Sequence, residues 1–359
     1  MIVLIIILVI LIFGLVVLTH EFGHFIMARR GGVEVEEFGF GFPPRLTGIK
    51  RGGTLYSINL IPLGGFVKMK GEDSADLRPG SFGAASFKRK LAILVAGVVM
   101  NLLTAYVLFL YLTITGLPGS VQQDVGLPQP AVSLPKHLIV LDESKGSPAE
   151  LAGIKRGDLI LTAGGQNLTV EDQLVTYTKA HAGETVAFQV QHDGKAATRE
   201  ITLRDAVAGK TNGYLGVTPL QVYNVRYGWN APWVAAEATV KLIWLTIVGF
   251  TGAIVGLFVH QQVSASVAGP VGIVVILSNI IYLGLNYVLF FVASIAVSLG
   301  ALNALPIPAL DGGRMAILIV GKLLRRQVSP QVEGMIHMAG YVALLAFMAI
   351  VTIADITRH

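Results

Sequence analysis

The chain has no cysteine. Disulfides are excluded, and so are thiolate zinc sites, so any metal here is held by histidine, aspartate or glutamate. Charge is scarce as well. Only 14% of the 359 residues are charged, against roughly 25% in soluble domains, while 53% are hydrophobic and mean hydropathy is +0.67. This balance excludes a simple soluble globule and predicts a membrane protein. The net charge of +5 says little in total; its distribution says more. No nucleic-acid partner is expected.

Residues 1–18 lack charge altogether, and the apolar run resumes after a short polar stretch and ends at Arg29-Arg30. A helix crosses a bilayer in roughly 20 residues. The segment also lacks a basic leader, so it is read as a retained span over about 1–28, with its N-terminus outside because Arg29-Arg30 follows. The polar stretch is Leu18-Thr19-His20-Glu21-Phe22-Gly23-His24, which contains the pattern H-E-x-x-H. On a helix His20 and His24 share a face. Two imidazoles so placed hold zinc, and Glu21 beside them takes a proton from water at the metal. The competing reading is an interfacial cluster in which Glu21 pairs with the histidines. Ionisable groups inside a span are costly and seldom idle.

Residues 29–90 form a basic loop. Residues 28–90 hold 11 Lys/Arg against 6 Asp/Glu, which places them in the cytoplasm. Alternating stretches at 38–44 and 54–71, broken by Pro and Gly, predict a β-hairpin or small sheet. Dipping toward the metal, it would offer an open strand edge. A second span covers about 91–116 and carries Asn101, read as a bond to a neighbouring helix rather than a catalytic group.

Residues 117–230 hold 10 Lys/Arg and 11 Asp/Glu and are expected on the outer side. Within them, residues 146–161, GSPAELAGIKRGDLIL, look like a PDZ signature, with Ser147 capping a short helix and Pro148 in its first turn. Residues 186–191 and 198–203 read as a hairpin joined across 192–195. A PDZ domain over about 136–206 would bind a peptide by strand addition or act as a steric cap. Residues 231–280 follow as a membrane-associated helix and a Gly269-Pro270-Val271-Gly272 linker. Although 233–259 is apolar enough to span, it is read as lying on the bundle, which keeps Lys322, Arg325 and Arg326 inside. Residues 281–359 carry the last two spans, about 284–306 and 335–354.

Between those spans lies Asn303-Ala304-Leu305-Pro306-Ile307-Pro308-Ala309-Leu310-Asp311-Gly312-Gly313-Arg314, a broken helix of the kind tolerated where backbone lines a polar cavity. A catalytic zinc needs a third protein ligand. Asp311 lies at the cytoplasmic end of its span, at the depth of His20 and His24, and is the candidate. The alternative is a helix-end acid paired with Arg314.

Together H-E-F-G-H, residues 64–72 (GGFVKMKGE), the PDZ-like stretch, G-P-V-G and N-x-x-P-x-P-x-L-D-G-G resemble the site-2 protease family. The resemblance is to its bacterial branch of regulator-of-sigma-E (RseP-type) intramembrane zinc proteases, and runs nearly end to end. It implies an α-helical multi-pass membrane protein of four spans, with a membrane-associated β-hairpin and an inserted extracytoplasmic PDZ domain. It implies one zinc ion on His20, His24 and Asp311, with Glu21 as catalytic acid/base. It implies that Asn303 engages the substrate backbone, and that Gly64, Gly65, Phe66, Val67, Lys68 and Met69 pair with an extended substrate. The implied partners are single-span membrane proteins in the lipid bilayer of the cell (inner) membrane, with both termini and the PDZ domain outside and the active site near the cytoplasm. There are two departures. The best-known members carry two PDZ domains where this chain has room for one, and Ala96-Gly97-Val98 stands where Ala-Gly-Pro is frequent, a change expected to affect helix shape rather than chemistry. A client-binding membrane protein without catalysis and a metal transporter are the alternatives from other classes.

Overall fold

The computed structural model describes residues 2–72, 76–192, 194–260, 268–326 and 328–358. The charge-free opening forms α1 (Ile2–Arg30); a helix satisfies its own backbone in lipid. Two long strands follow, β1 (Val35–Arg51) and β2 (Thr54–Met69), then α2 (Phe87–Thr115). The middle of the chain is mixed: β3 (Leu117–Pro118), α3 (Gly119–Asp124), β4 (Val132–Ser133), β5 (His137–Glu143), α4 (Pro148–Leu151), β6 (Leu159–Ala163), β7 (Gln166–Asn167), α5 (Glu171–Ala180), β8 (Thr185–His192), β9 (Lys195–Thr202), α6 (Ala206–Asn212), β10 (Val217–Val222) and β11 (Asn224–Arg226). Helices close it: α7 (Ala231–Val255), α8 (Pro270–Ile280), α9 (Leu285–Ala304), α10 (Asp311–Leu323) and α11 (Pro330–Arg358). Among the described residues, α1, α2, α7, α9 and α11 contain segments long and apolar enough to cross a membrane. They correspond to the four segments expected to span together with α7, the segment read as apolar enough to span but lying on the bundle. Residues 261–267, inside the helix-and-linker region expected over 231–280, lie outside the described residues, as does Asp193 in the expected 192–195 turn.

The chain divides into two compact units. The first comprises Met1–Phe109, Ala235–Ser278 and Phe291–His359. In it β1 has partners on both sides: Phe38 faces Tyr56 and Val67, Gly39 faces Ser57 and Phe66, and Phe40 faces Ile58 and Gly65. Residues 65–69 pair with β1 alone among the described strands, so their other edge is open. This small sheet packs on α1, where a Cβ at Gly64 would lie 3.1 Å from Val17 Cγ1. Helix α7 packs beside α9 and α11: Thr246 Oγ1 lies 3.4 Å from Ser298 Oγ, and the Phe250 and Phe347 rings are 5.9 Å apart. The G-P-V-G stretch opens α8, with Pro270 as its first residue. The buried Asp355 of α11 accepts from Gly269 N at 2.8 Å and Gly272 N at 2.9 Å, satisfying donors that a helix start leaves orphaned.

The second unit comprises Leu110–Val234 and Asn279–Phe290. Its main sheet has the order β10-β5-β6-β8-β9, with β7 paired to β6. The core beneath includes Leu138, Val140, Ile154, Ile160, Phe188 and Ile201. Ser147 Oγ accepts from Glu150 N at 3.1 Å and caps α4. Because β10 pairs with β5, the sheet continues beyond 206. Asn279–Phe290 is held to this unit by Arg156, which bonds Asn279 and lies 5.1 Å from the Tyr282 ring centre, and by Asn286, which donates to Gly116 O at 2.7 Å.

Candidate metal centre

The centre lies within the first unit, and helix geometry builds it. His20 and His24 stand one turn apart on α1 and are each 7% exposed. Their Nε2 atoms are 3.1 Å apart. Asp311, the first residue of α10, brings Oδ2 to 3.0 Å from His20 Nε2 and 3.2 Å from His24 Nε2. A tetrahedral zinc site with arms of roughly 2.0–2.1 Å separates its ligand atoms by roughly 3.3–3.4 Å, close to these spacings. The protons agree with the distances. His24 Nδ1 lies 2.8 Å from the carbonyl of Ile93 on α2; a carbonyl only accepts, so Nδ1 carries the hydrogen and the Nε2 lone pair faces Asp311. Asp311 Oδ2 is buried with no hydrogen-bond donor directed at it. His24 Nε2 and Asp311 Oδ2 are thus two acceptors that face one another, an arrangement that fits a cation, and two imidazoles with a carboxylate suit zinc.

Small residues bring the helices this close. A Cβ on Gly23 would overlap the Ala96 carbonyl, and one on Gly97 would overlap both imidazoles. The Ala96-Gly97-Val98 stretch therefore abuts the ligands directly. After α9 the chain turns through 305–310 and restarts at Asp311. Ala309 takes φ +78°, a costly left-handed state for a residue with a Cβ, and its N–H donates to His337 Nδ1 at 2.9 Å. Gly312 and Gly313 lie so close to the backbone of Leu305 and Ile307 that any side chain would collide. Arg314, considered from the sequence as a helix-end partner of Asp311, is paired with Glu72.

A cavity of about 230 Å³ opens beside the ligands, lined by His20, Glu21, Asn101, Asn303 and Asp311 among others. Glu21 and Asn303 thus share its wall. The hairpin approaches from the α1 side: a Cβ at Gly65 would lie 3.4 Å from Leu18 Cδ1 and 3.8 Å from Glu21 Cγ. Phe66 stacks with Phe42, Val67 pairs with Phe38, Lys68 pairs with Glu36, and Met69 is buried with Phe25 and Ile93. None of these four lines the cavity. Sequence reasoning read Asn101 as bonded to a neighbouring helix and Gly97 as part of a helix-shaping stretch, but did not bring either to the ligands, which both reach from α2; the four-residue spacing between them is the signal that marks a shared face.

Known proteins are similar to this chain over nearly its whole length. A Clostridium acetobutylicum protein bearing a provisional zinc-metalloprotease name is 32% identical over 355 residues, covering 98% of this chain and 97% of its own. Zinc metalloprotease RasP of Geobacillus kaustophilus is 26% identical, with 97% of each chain covered. Regulator of sigma-E protease RseP of Salmonella typhimurium is 28% identical, with 96% of each covered. The model of peptidase family M50 matches residues 8–347, a stretch that holds both halves of the metal centre, and the chain accordingly belongs to peptidase family M50.

Proposed function

We propose that this M50 zinc metalloprotease hydrolyses peptide bonds inside the membrane-spanning segments of single-span membrane proteins. The convergence of His20, His24 and Asp311 at a cavity walled by long apolar helices carries the reading. Zinc on these three ligands would polarise the scissile carbonyl and make water a nucleophile near neutral pH. Glu21 takes the proton of the attacking water and hands it to the leaving amine nitrogen. Asn303, on the same wall, holds a substrate backbone amide. A substrate helix keeps its carbonyls in internal hydrogen bonds and must unwind first. The open edge of residues 65–69 then supplies partners to the extended strand. Membrane-anchored regulators such as anti-sigma factors, and remnant signal peptides left by an earlier cut, suit this chemistry.

The sheet of the second unit is read as a single extracytoplasmic PDZ domain, which would screen out substrates with bulky outer portions; a peptide in its groove is its second use. The capped α4 and the β8–β9 hairpin support the reading. So does alignment length: 439 aligned positions with the Salmonella protein, against 359 residues here, leave at least 80 of its positions without a counterpart. We place both termini and this domain outside the cell membrane and the active site near the cytoplasm. Within the second unit the chain leaves the end of α2 at Ala231, whose carbonyl accepts from Thr113 at 3.5 Å, and is back at that end by Asn286. That return supports no net crossing by α7 and α8.

The test is Glu21→Gln, purified in detergent. Zinc content stays at the wild-type level, while cleavage of a single-span reporter falls by about 10²–10⁴-fold. Cleavage that persists overturns the assignment.

A further inference from the structure

Three positions on α2 face the two histidines of α1 at four-residue steps. The Ile93 carbonyl meets His24 Nδ1, Gly97 lies against both rings, and Asn101 meets His20 Nδ1 at 3.3 Å. Steps of four share a helix face, so one stripe of α2 serves both imidazoles. Its contact with His24 sets that ring's tautomer. Asn101 is fully buried, and its Oδ1 has no partner while its Nδ2 faces the ring. An amide donating to Nδ1 would place the ring hydrogen on Nε2, the atom that lies 3.0 Å from Asp311 Oδ2. That hydrogen would occupy the ligand position. The amide oxygen and nitrogen have nearly the same shape, and exchanging them turns Oδ1 toward the ring.

We propose that Asn101 is a positioning residue for His20: its side-chain carbonyl accepts the Nδ1 hydrogen and so commits the Nε2 lone pair to the metal. The inference rests on His20 being a zinc ligand. It extends to His20 what the Ile93 carbonyl does for His24, and outer partners of this kind raise ligand basicity and fix ring orientation.

The experiment measures zinc affinity of the full chain in detergent by chelator competition, with thermal unfolding of each variant as a folding control. Asn101→Leu lowers affinity about 10–100-fold, the usual cost of removing such a partner. Asn101→Asp, which accepts the same hydrogen but cannot donate, keeps affinity within about threefold of wild type. Wild-type affinity in Asn101→Leu overturns the positioning role. An Asn101→Asp as weak as Asn101→Leu, with both variants folded, overturns the accepting orientation. His20→Ala separates the inference from its basis: unchanged affinity there removes His20 from the ligand set, whereas loss there beside an unaffected Asn101→Leu removes only Asn101.

Discussion

At the residue scale the site depends on what is missing as much as on what binds. Gly97 leaves the space in which the imidazoles of His20 and His24 stand. Gly97→Ala should therefore lower zinc affinity by about 10–100-fold, measured by metal analysis of the purified chain, even though the change adds one methyl group and favours the helix. Asp311→Ala leaves two imidazoles and should empty the site in the same assay. His20, Glu21 and His24 were legible because a four-residue spacing within one helix needs no knowledge of neighbours. Asp311 was legible because span counting put it at the right depth. Asn101 was visible as a buried amide bonded to another helix, but its partner was not, because the register of α2 against α1 is set by packing at Gly23 and Gly97.

At the scale of elements the hairpin and the broken end of α9 follow from local proline and glycine chemistry, and both occur near the expected places. The G-P-V-G stretch was expected as a linker, and it starts a helix instead. Pro270 suits a first helical position, but the acceptor for the preceding and following N–H groups comes from Asp355, 86 and 83 residues away. No local pattern announces such a cap. Asp355→Ala strands two buried donors and should cost about 1–3 kcal/mol, seen as a lower unfolding temperature in detergent. Asp355→Asn keeps one acceptor oxygen and should recover most of the loss.

On the scale of the whole molecule, low charge and high hydropathy made the membrane setting plain, while the number of crossings was not. Composition gives α7 the length and apolarity of a span; the basic cluster Lys322, Arg325 and Arg326 and the return of the chain from Ala231 to Asn286 are what bear on its net direction. A chain without thiols is ready for single-cysteine labelling in intact cells. With no net crossing by α7 and α8, Ser329→Cys resists impermeant reagents until the membrane is opened, and Lys145→Cys reacts from outside at once. Labelling of both from outside would refute the proposed orientation.

The stripe on α2 has one more consequence. Contacts repeating every four residues mesh two rods like a rack and its pinion. A slip of one residue, roughly 1.5 Å and 100°, would disengage all three teeth together. Heating should consequently release the ion and part these two rods in a single step.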